Sequence, residues 1–315
     1  MHAVELTRIH AGTATINFRV VDESGRRWFA KIYRGELDRE RVAIELTAYA
    51  GLGKVPVPAV RRTLAGDLID ERMPMSLWEF VDGETAEGGL TGRRWAAVGT
   101  VLGRLHKRLS EHPAATPTLR PARDVRDVER SARNFDQLIA SFRSRASLSP
   151  FEEWACEAAQ ERRALLDRAG AILTDLPELT VQVIHGDLAS PNLMLRGDTV
   201  AAVIDFQPPI PGFLAWEIAR IGCDPRTVVL GDQWIDGLAV LIDAYRNEYP
   251  EVRPDDLLSA VAVGCAHTLG STFPLAEPAP VPPSLELYAR ARHKAAIIML
   301  ERLTDVREFL RRSTR

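Results

Sequence analysis

Three short apolar runs in the second half of the chain predict a small group of buried strands. They cover residues 181–184, 193–195 and 201–206, and runs of this length between turn residues are typical of buried strands. A polar loop separates the first two runs, and a Gly-Asp turn at 196–199 separates the last two. Such a turn favours a hairpin. The pattern therefore brings Asn192 and Asp205 back toward the same end of a small sheet.

Elsewhere the pattern divides the chain into a strand-rich first part and a helical remainder. Residues 4–33 alternate and predict a three-stranded meander, with Gly12 in its first turn. A helix is predicted at 37–50, followed by extended segments up to about residue 81. Further helices are predicted at 92–109, 125–145, 150–173, 232–248, 254–269 and 283–310, and another begins at 213.

Composition narrows the class of protein. A length of 315 residues suggests about two domains or one large bilobal one, and 46% hydrophobic residues can form a substantial core. A net charge of -3 gives no electrostatic reason to expect nucleic acid or an anionic membrane as a partner. No secretory signal or membrane-spanning run is apparent. The three cysteines lack metal-ligand spacing, so we expect a cytoplasmic protein with reduced thiols.

The loop at 185–192 and the run ending near Asp205 carry residue types that suit phosphoryl transfer. This reaction needs an oriented hydroxyl and neutralised phosphate charge. Asn192 and Asp205 supply the hard oxygen ligands that Mg²⁺ prefers, and Asp187 is then the candidate catalytic residue that accepts the hydroxyl proton. Asp and Asn are also common in turns because of local hydrogen bonds. The combined pattern, framed by strands, favours the catalytic interpretation.

The order H-G-D-x-x-x-x-N followed by I-D-F resembles the protein-kinase catalytic loop and its metal-binding Asp. Gly186 stands where those enzymes carry Arg, and Gln207 stands where they carry Gly. In this form the motif resembles the aminoglycoside phosphotransferase family and its relatives, which include choline, homoserine and methylthioribose kinases. The resemblance implies an α+β, bilobal protein-kinase-like fold. Residues 1–82 would form a nucleotide-binding N-lobe of mostly antiparallel sheet plus one helix, and residues 83–315 a larger helical C-lobe with small catalytic hairpins.

The resemblance also implies the nucleotide contacts. The segment W-F-A-K-I resembles the kinase strand V-A-I-K, so Lys31 is expected to contact the phosphates of ATP or GTP, with a solvated edge lysine as the alternative. Glu45 on the following helix is the first choice as its acidic partner and Glu40 the second, with a solvated carboxylate as the alternative for each. The end of the N-lobe is expected to hold the base. This assignment comprises a hinge formed by Glu79, Phe80 and Val81, with Trp78 at the back of the base pocket or simply in the core.

The acceptor side departs from the family pattern. Family members usually carry G-D-x-x-x-D-L-A after the metal-binding Asp, and here Phe213 and Glu217 stand at the two acidic positions. Glu217 is a candidate replacement for the acid that braces the catalytic loop. His106 is expected to be structural. The predicted helix at 125–145 is rich in arginine, which indicates a solvated face or, as the alternative, contact with an anionic substrate group. The candidate acceptor contacts, with surface solvation as their alternative, are Asp224, Asp232 and Asp236.

These observations predict a Mg²⁺- and nucleotide-dependent O-phosphotransferase with a small-molecule acceptor. We rank a sugar-containing metabolite or antibiotic first, which would place the enzyme in antibiotic resistance or secondary metabolism. The basic segment 311–315 does not suit a polycationic aminoglycoside. A kinase of choline, homoserine or another small hydroxylated amine is the alternative, and choline would require an aromatic cage for which Trp216, Trp234 and Tyr245 are candidates. A non-catalytic pseudokinase is disfavoured because Lys31 and the three polar loop residues are all present.

Overall fold

Two lobes of unequal size make up the chain. The computed structural model describes residues 2–10 and 15–313, so the expected turn at Gly12 lies outside the described residues. The chain leaves the sheet of the smaller lobe at Glu79 and joins a sheet of the larger lobe at Glu84. The boundary between the two lobes at residue 82 stays a prediction. Among the described residues, no helix combines the length and apolar character needed to cross a membrane.

A five-stranded antiparallel sheet forms the N-lobe, with strand order β1-β2-β3-β5-β4. Its strands are β1 (Ala3–Ile9), β2 (Thr15–Asp22), β3 (Arg27–Tyr33), β4 (Val60–Arg61) and β5 (Met75–Glu79). Each neighbouring pair is antiparallel. The predicted meander of the first three strands is therefore confirmed.

The two faces of this sheet bury different side chains. Trp28 packs on one face. Tyr33 packs on the other, against Ile44 of helix α1 (Leu37–Gly51), which is the predicted helix at this position. Because side chains alternate along a strand, Lys31 shares the face of Tyr33 and α1.

Helices dominate the C-lobe. They are α2 (Arg94–Ser110), α3 (Val128–Arg143), α4 (Pro150–Ala164), α5 (Leu166–Thr174), α6 (Leu214–Gly222), α7 (Pro225–Val228), α8 (Gln233–Glu248), α9 (Pro254–Leu269) and α10 (Pro283–Ser313), with 3₁₀ turns at Ala86–Gly88, Ala122–Val125 and Ser190–Asn192. The largest buried cluster joins α2, α6, α8 and α9. The single helix predicted at 150–173 was wrong. The Leu165 N–H bonds to the Arg162 carbonyl three residues back, and this tighter turn ends the first helix.

Two glycines allow α2 and α8 to pack closely. A Cβ atom at Gly99 would lie 2.2 Å from the carbonyl oxygen of Leu241, and one at Gly103 would lie 2.5 Å from that of Tyr245. Any side chain at these positions would force the helices apart. This close approach places His106 of α2 beside Tyr245.

Two three-stranded sheets lie within the C-lobe, with orders β10-β9-β6 and β11-β8-β7. Their strands are β6 (Glu84–Thr85), β7 (Thr118–Arg120), β8 (Leu179–Val183), β9 (Leu193–Arg196), β10 (Thr199–Val203) and β11 (Pro211–Phe213). The predicted hairpin is confirmed, with Thr199 opposite Arg196. Its second strand ends earlier than the predicted 201–206, because Asp205 has a left-handed backbone with φ of 67° that extended pairing cannot accommodate.

Candidate active site

The polar loop after β8 holds Asp187 and Asn192 side by side. The Asn192 side-chain amide donates to the Asp187 carbonyl at 2.8 Å and lies 3.3 Å from carboxylate oxygen Oδ2 of the same residue. Gly186 makes the turn possible: its φ is +88°, and a Cβ atom there would lie 2.8 Å from the Cβ of Gln207. Because the side-chain nitrogen of Asn192 is engaged with Asp187, the side-chain oxygen of Asn192 can serve as a metal ligand.

Asp205 meets the same loop from the end of β10. The backbone N–H of Ile204 donates to the backbone carbonyl of Asn192 at 3.0 Å, which ties the two segments together. Asp tolerates the left-handed conformation of this residue better than most side chains do. The carboxylate of Asp205 forms an ion pair with Lys31 of β3, whose side chain is only 20% exposed. The polar residues of the C-lobe and the lysine of the N-lobe therefore meet between the two lobes, and we call this place the cleft.

The expected pairing of Lys31 with Glu45 is not present. Glu45 is exposed on α1, and within the described ranges neither it nor Glu40 forms an ion pair with Lys31. The left-handed turn at Asp205 brings that carboxylate within reach of Lys31 instead. Glu40 is the α1 acid whose charge acts near the cleft. Burial, with the charges of Glu40 and Asp205, raises the pKa of Tyr33 to about 12.

The residues assigned to the base pocket lie at the end of β5 and directly after it. Trp78 packs beside Tyr33, and its indole N–H donates to the Ser76 hydroxyl at 2.7 Å. The backbone N–H groups of Glu79 and Phe80 donate to the carbonyls of residues 59 and 27, at 2.8 and 3.4 Å. Val81 is partly exposed at the lobe connection. Contact of these four residues with a base stays a prediction.

Glu217 of α6 supports the start of the catalytic loop from inside the C-lobe. Its side chain is 1% exposed, and its two carboxylate oxygens accept from the backbone N–H groups of His185 and Gly186 at 2.8 and 2.9 Å. The longer Glu side chain thus reaches the loop at the position where the family pattern has Asp. Because both amides are buried or partly buried, this pair of bonds fixes where the loop begins.

The carboxylate of Glu217 is itself held by a buried chain of polar groups. His106 Nε2 lies 3.0 Å from Glu217, and His106 Nδ1 lies 2.9 Å from the Tyr245 hydroxyl. Burial alone would raise the pKa of Glu217, but the hydrogen bond from His106 and the nearby imidazoles outweigh it and leave the pKa below its usual value. His106 therefore has the structural position that the sequence suggested.

A second buried acid supports the other end of the loop. Asp224 accepts from the Ser190 hydroxyl at 2.5 Å and from the Arg226 N–H at 2.8 Å, and it is 2% exposed. Asp224 is thus a support for the loop, and its assignment as an acceptor contact was wrong. The other two acceptor candidates are at the surface, with Asp232 paired to Arg302 at 2.5 Å and Asp236 exposed.

Arg220 is a site residue that the sequence analysis missed. Its Nη2 lies 2.8 Å from Oδ1 of Asp187, and its guanidinium lies 5.7 Å from the ring centre of Trp216. The signal was its spacing: Arg220 follows Glu217 by three residues on α6, so the two share one face of the helix. That face meets the catalytic loop.

Comparison with known proteins decides the family. The model of the phosphotransferase enzyme family APH matches residues 5–254, about four fifths of the chain. This chain belongs to the APH phosphotransferase family. No curated protein matches its sequence. Our expectations of an α+β kinase-like fold and of a small-molecule kinase acting on hydroxyl groups are thereby confirmed.

Solved structures share the fold of this APH family member. A spectinomycin phosphotransferase, crystallised with ADP and spectinomycin, has a TM-score of 0.65 and 15% identity, covering 94% of this chain and 93% of its own. An aminoglycoside phosphotransferase from Alicyclobacillus acidocaldarius has a TM-score of 0.57 and 17% identity, covering 97% and 92%. A glucosamine kinase has a TM-score of 0.55 and 15% identity, covering 95% and 94%.

The oxygen donors of the site suit Mg²⁺ better than a transition metal. In the part of the chain that the structure describes, no group of three or more His, Cys, Asp or Glu side chains has a metal-binding arrangement. Asn192 and Asp205 offer two hard oxygen donors. This number fits Mg²⁺, which takes its remaining ligands from phosphates and water.

Proposed function

We propose that this APH family member transfers the γ-phosphoryl group of ATP or GTP to a hydroxyl of a small molecule in the cleft between the lobes. The observation that carries the proposal is a continuous set of contacts. Lys31 pairs with Asp205. The backbone of Ile204, next to Asp205, bonds to Asn192, and Asn192 contacts Asp187. Phosphoryl transfer needs such positioning and charge neutralisation more than covalent chemistry.

Each residue has a role in this scheme. Asp187 orients the acceptor hydroxyl and takes its proton. Asn192 and Asp205 hold Mg²⁺, which when bound neutralises charge on the nucleotide phosphates. Lys31 turns from Asp205 to the phosphates when nucleotide enters. The hinge at 79–81 binds the base.

A sugar-containing metabolite or antibiotic remains our first choice of acceptor. The ADP and spectinomycin bound by the spectinomycin phosphotransferase support a nucleotide donor and an antibiotic or similar small molecule as acceptor. The choline alternative loses support because two of the three candidate cage residues are buried in the core. Trp234 and Tyr245 are completely buried in the core, at 1% and 0% exposure, so they cannot surround a quaternary ammonium group.

Calorimetry tests the nucleotide half of this proposal. The purified chain is titrated with ATP and with GTP in the presence of Mg²⁺, alongside Lys31→Met. We expect saturable binding of at least one nucleotide and about tenfold weaker binding by the variant, which loses one charged phosphate contact. Binding of neither nucleotide would overturn the proposal.

A screen tests the acceptor half. Hydroxylated metabolites and antibiotics are incubated with the preferred nucleotide, and products are identified by the mass of one added phosphoryl group. A phosphorylated product separates a kinase from a nucleotide-binding pseudokinase, because the latter binds ATP or GTP without turnover.

A further inference from the structure

Three arginines and one histidine from separate parts of the C-lobe meet at the C-terminal end of α9. They are Arg126 before α3, Arg162 of α4, His267 of α9 and Arg292 of α10, and we call them the α9 cationic cluster. Arg126 donates to the carbonyl of Gly270, and Arg162 donates to that of Ser271 at 3.0 Å. These consecutive carbonyls bring the two guanidinium groups together just beyond the helix end.

Several buried nitrogen atoms of the cluster have no hydrogen-bond acceptor among the described residues. Arg162 is completely buried, yet its Nε and Nη2 have no acceptor among residues 2–10 and 15–313. The same holds, within these ranges, for Nε of Arg292 and Nδ1 of His267. Buried charged donors without acceptors are costly. Several donors from three elements thus remain able to bind an anion.

The local charge is positive and poorly balanced. Burial, followed by repulsion from Arg292, lowers the pKa of Arg162 to about 9. Burial, followed by Arg126, Arg292 and Arg220, lowers the pKa of His267 well below its usual value. The nearby acids are engaged elsewhere: Asp127 caps α3 through the Arg130 N–H at 2.8 Å, and Glu161 lies 3.2 Å from His293.

The end of a helix accounts for only part of this arrangement. The carbonyls at a helix C-terminus attract cations, and Arg126 and Arg162 use those carbonyls. One helix end does not account for three arginines and a histidine with further unsatisfied donors. The excess favours a ligand of negative charge.

A row of side chains joins the cluster to the candidate catalytic residue. His267 stacks on Trp216 with ring centres 3.6 Å apart and planes inclined by 21°. Arg220 lies over the same indole and pairs with Asp187. Asp187 and the cluster are therefore linked by a continuous row of side-chain contacts along α6.

We propose that the acceptor carries an oxyanion in addition to the hydroxyl that is phosphorylated, and that the α9 cationic cluster binds this oxyanion. The inference rests on the proposed kinase function and specifies its acceptor class. Guanidinium groups bind carboxylates, sulfates and phosphates in a bidentate manner. Arg126 and Arg292 are partly exposed and make the direct contacts, with Arg162 and His267 behind them.

Matched acceptor pairs test the substrate class. Hydroxy acids are compared with their methyl esters, and sugar phosphates and sugar sulfates with the unmodified sugars, by nucleoside diphosphate release. We expect the charged member to have a kcat/KM at least about tenfold higher, corresponding to one charged contact. The carboxylate, phosphate and sulfate arms identify which oxyanion fits. Equal or better use of the neutral members would overturn the inference.

Two arginines of α10 offer a matched pair of variants. Arg292 belongs to the cluster, whereas Arg290 pairs with Glu286 on the surface at 2.8 Å. In thermal-shift measurements with sulfate, phosphate and acetate at constant ionic strength, Arg292→Gln should lose the stabilisation that the wild type and Arg290→Gln retain. Arg126→Gln provides a second variant should Arg292→Gln fail to fold. Equal stabilisation of all variants would contradict an oxyanion site.

The same measurements separate this inference from the kinase proposal. If nucleotide binds and neutral acceptors are preferred, the oxyanion site is overturned and the kinase function stands. If no nucleotide binds, the proposed kinase function is wrong. Thermal stabilisation by anions that is lost only in the cluster variants would still support the oxyanion site. Lys31→Met should keep the anion effect, because Lys31 belongs to the nucleotide side.

Discussion

Arg220 and Asn192 each contact a different carboxylate oxygen of Asp187. Arg220 forms an ion pair of 2.8 Å with Oδ1. Asn192 approaches Oδ2 at 3.3 Å. The side chains of Asp187 and Arg220 are 44% and 26% exposed, so the pair is open to the cleft. Arg220 therefore acts on catalysis by positioning Asp187.

Replacing Arg220 by Met should lower kcat about tenfold, because Asp187 loses one of two contacts that orient it. Arg220→Lys should recover part of the rate. The matched control is Arg104→Met, since Arg104 forms an ion pair with Glu248 at the same distance, 2.8 Å, on α2 and away from the cleft. Steady-state kinetics on both variants checks this. Equal kcat values for Arg220→Met and Arg104→Met would remove Arg220 from this role.

Glu217→Gln should destabilise the protein by about 3 kcal/mol, since it leaves His106 and two loop amides facing an uncharged group in a buried site. Glu248→Gln, which breaks a partly exposed pair, should cost less than about 1 kcal/mol. Urea unfolding monitored by circular dichroism gives both values. Similar losses for the two variants would show that the buried pair has no special importance.

Stability should fall as the solution is made acidic from about pH 6.5. Burial lowers the pKa of His185 and, with neighbouring arginines, that of His267 below 6.5, so the unfolded chain binds these protons more readily than the folded chain. Their contribution is present above pH 6.5 and is lost as pH falls toward the folded-state values. Each proton changes the slope by about 1.4 kcal/mol per pH unit.

His267→Gln isolates one of these contributions. The variant should show a shallower decline of unfolding free energy between about pH 6.5 and pH 5, because one titrating group is gone. Urea unfolding at several pH values measures the slope. A decline as steep as that of the wild type would exclude His267 as a source.

The local parts of the site were predictable from the sequence. Apolar runs and the Gly-Asp turn specify the strands and hairpin that carry Asn192 and Asp205, because periodicity and turn chemistry act over a few residues. The ends were less well placed: the second strand stops before Asp205, where the left-handed backbone turns its carboxylate toward the other lobe.

Contacts between distant segments were harder to predict. The choice of Asp205 over Glu45 as the partner of Lys31 depends on how the two lobes meet, which no local pattern reports. The α9 cationic cluster draws residues from positions 126, 162, 267 and 292, and only the arginine-rich stretch near 126 gave a signal. Glu217 was predictable because its place in the motif is local, whereas its His106–Tyr245 support depends on helix packing.

Removing the metal should abolish turnover, and Asp205→Asn should raise the Mg²⁺ concentration needed for half-maximal rate at least about tenfold, since it removes a charged ligand. Asp198→Asn in the exposed turn of the same hairpin is the control. Rates measured in a Mg²⁺ titration after EDTA treatment check both variants. Full activity in EDTA would contradict the metal assignment.

The central claim is that Asp187 promotes transfer of a phosphoryl group bound beside it. The most direct test measures kcat and nucleotide Kd for Asp187→Asn in one preparation. We predict that kcat falls at least about 10²-fold, the lower range for loss of a general base, while Kd changes less than about threefold, equivalent to under 0.7 kcal/mol. A variant with undiminished kcat would contradict the account.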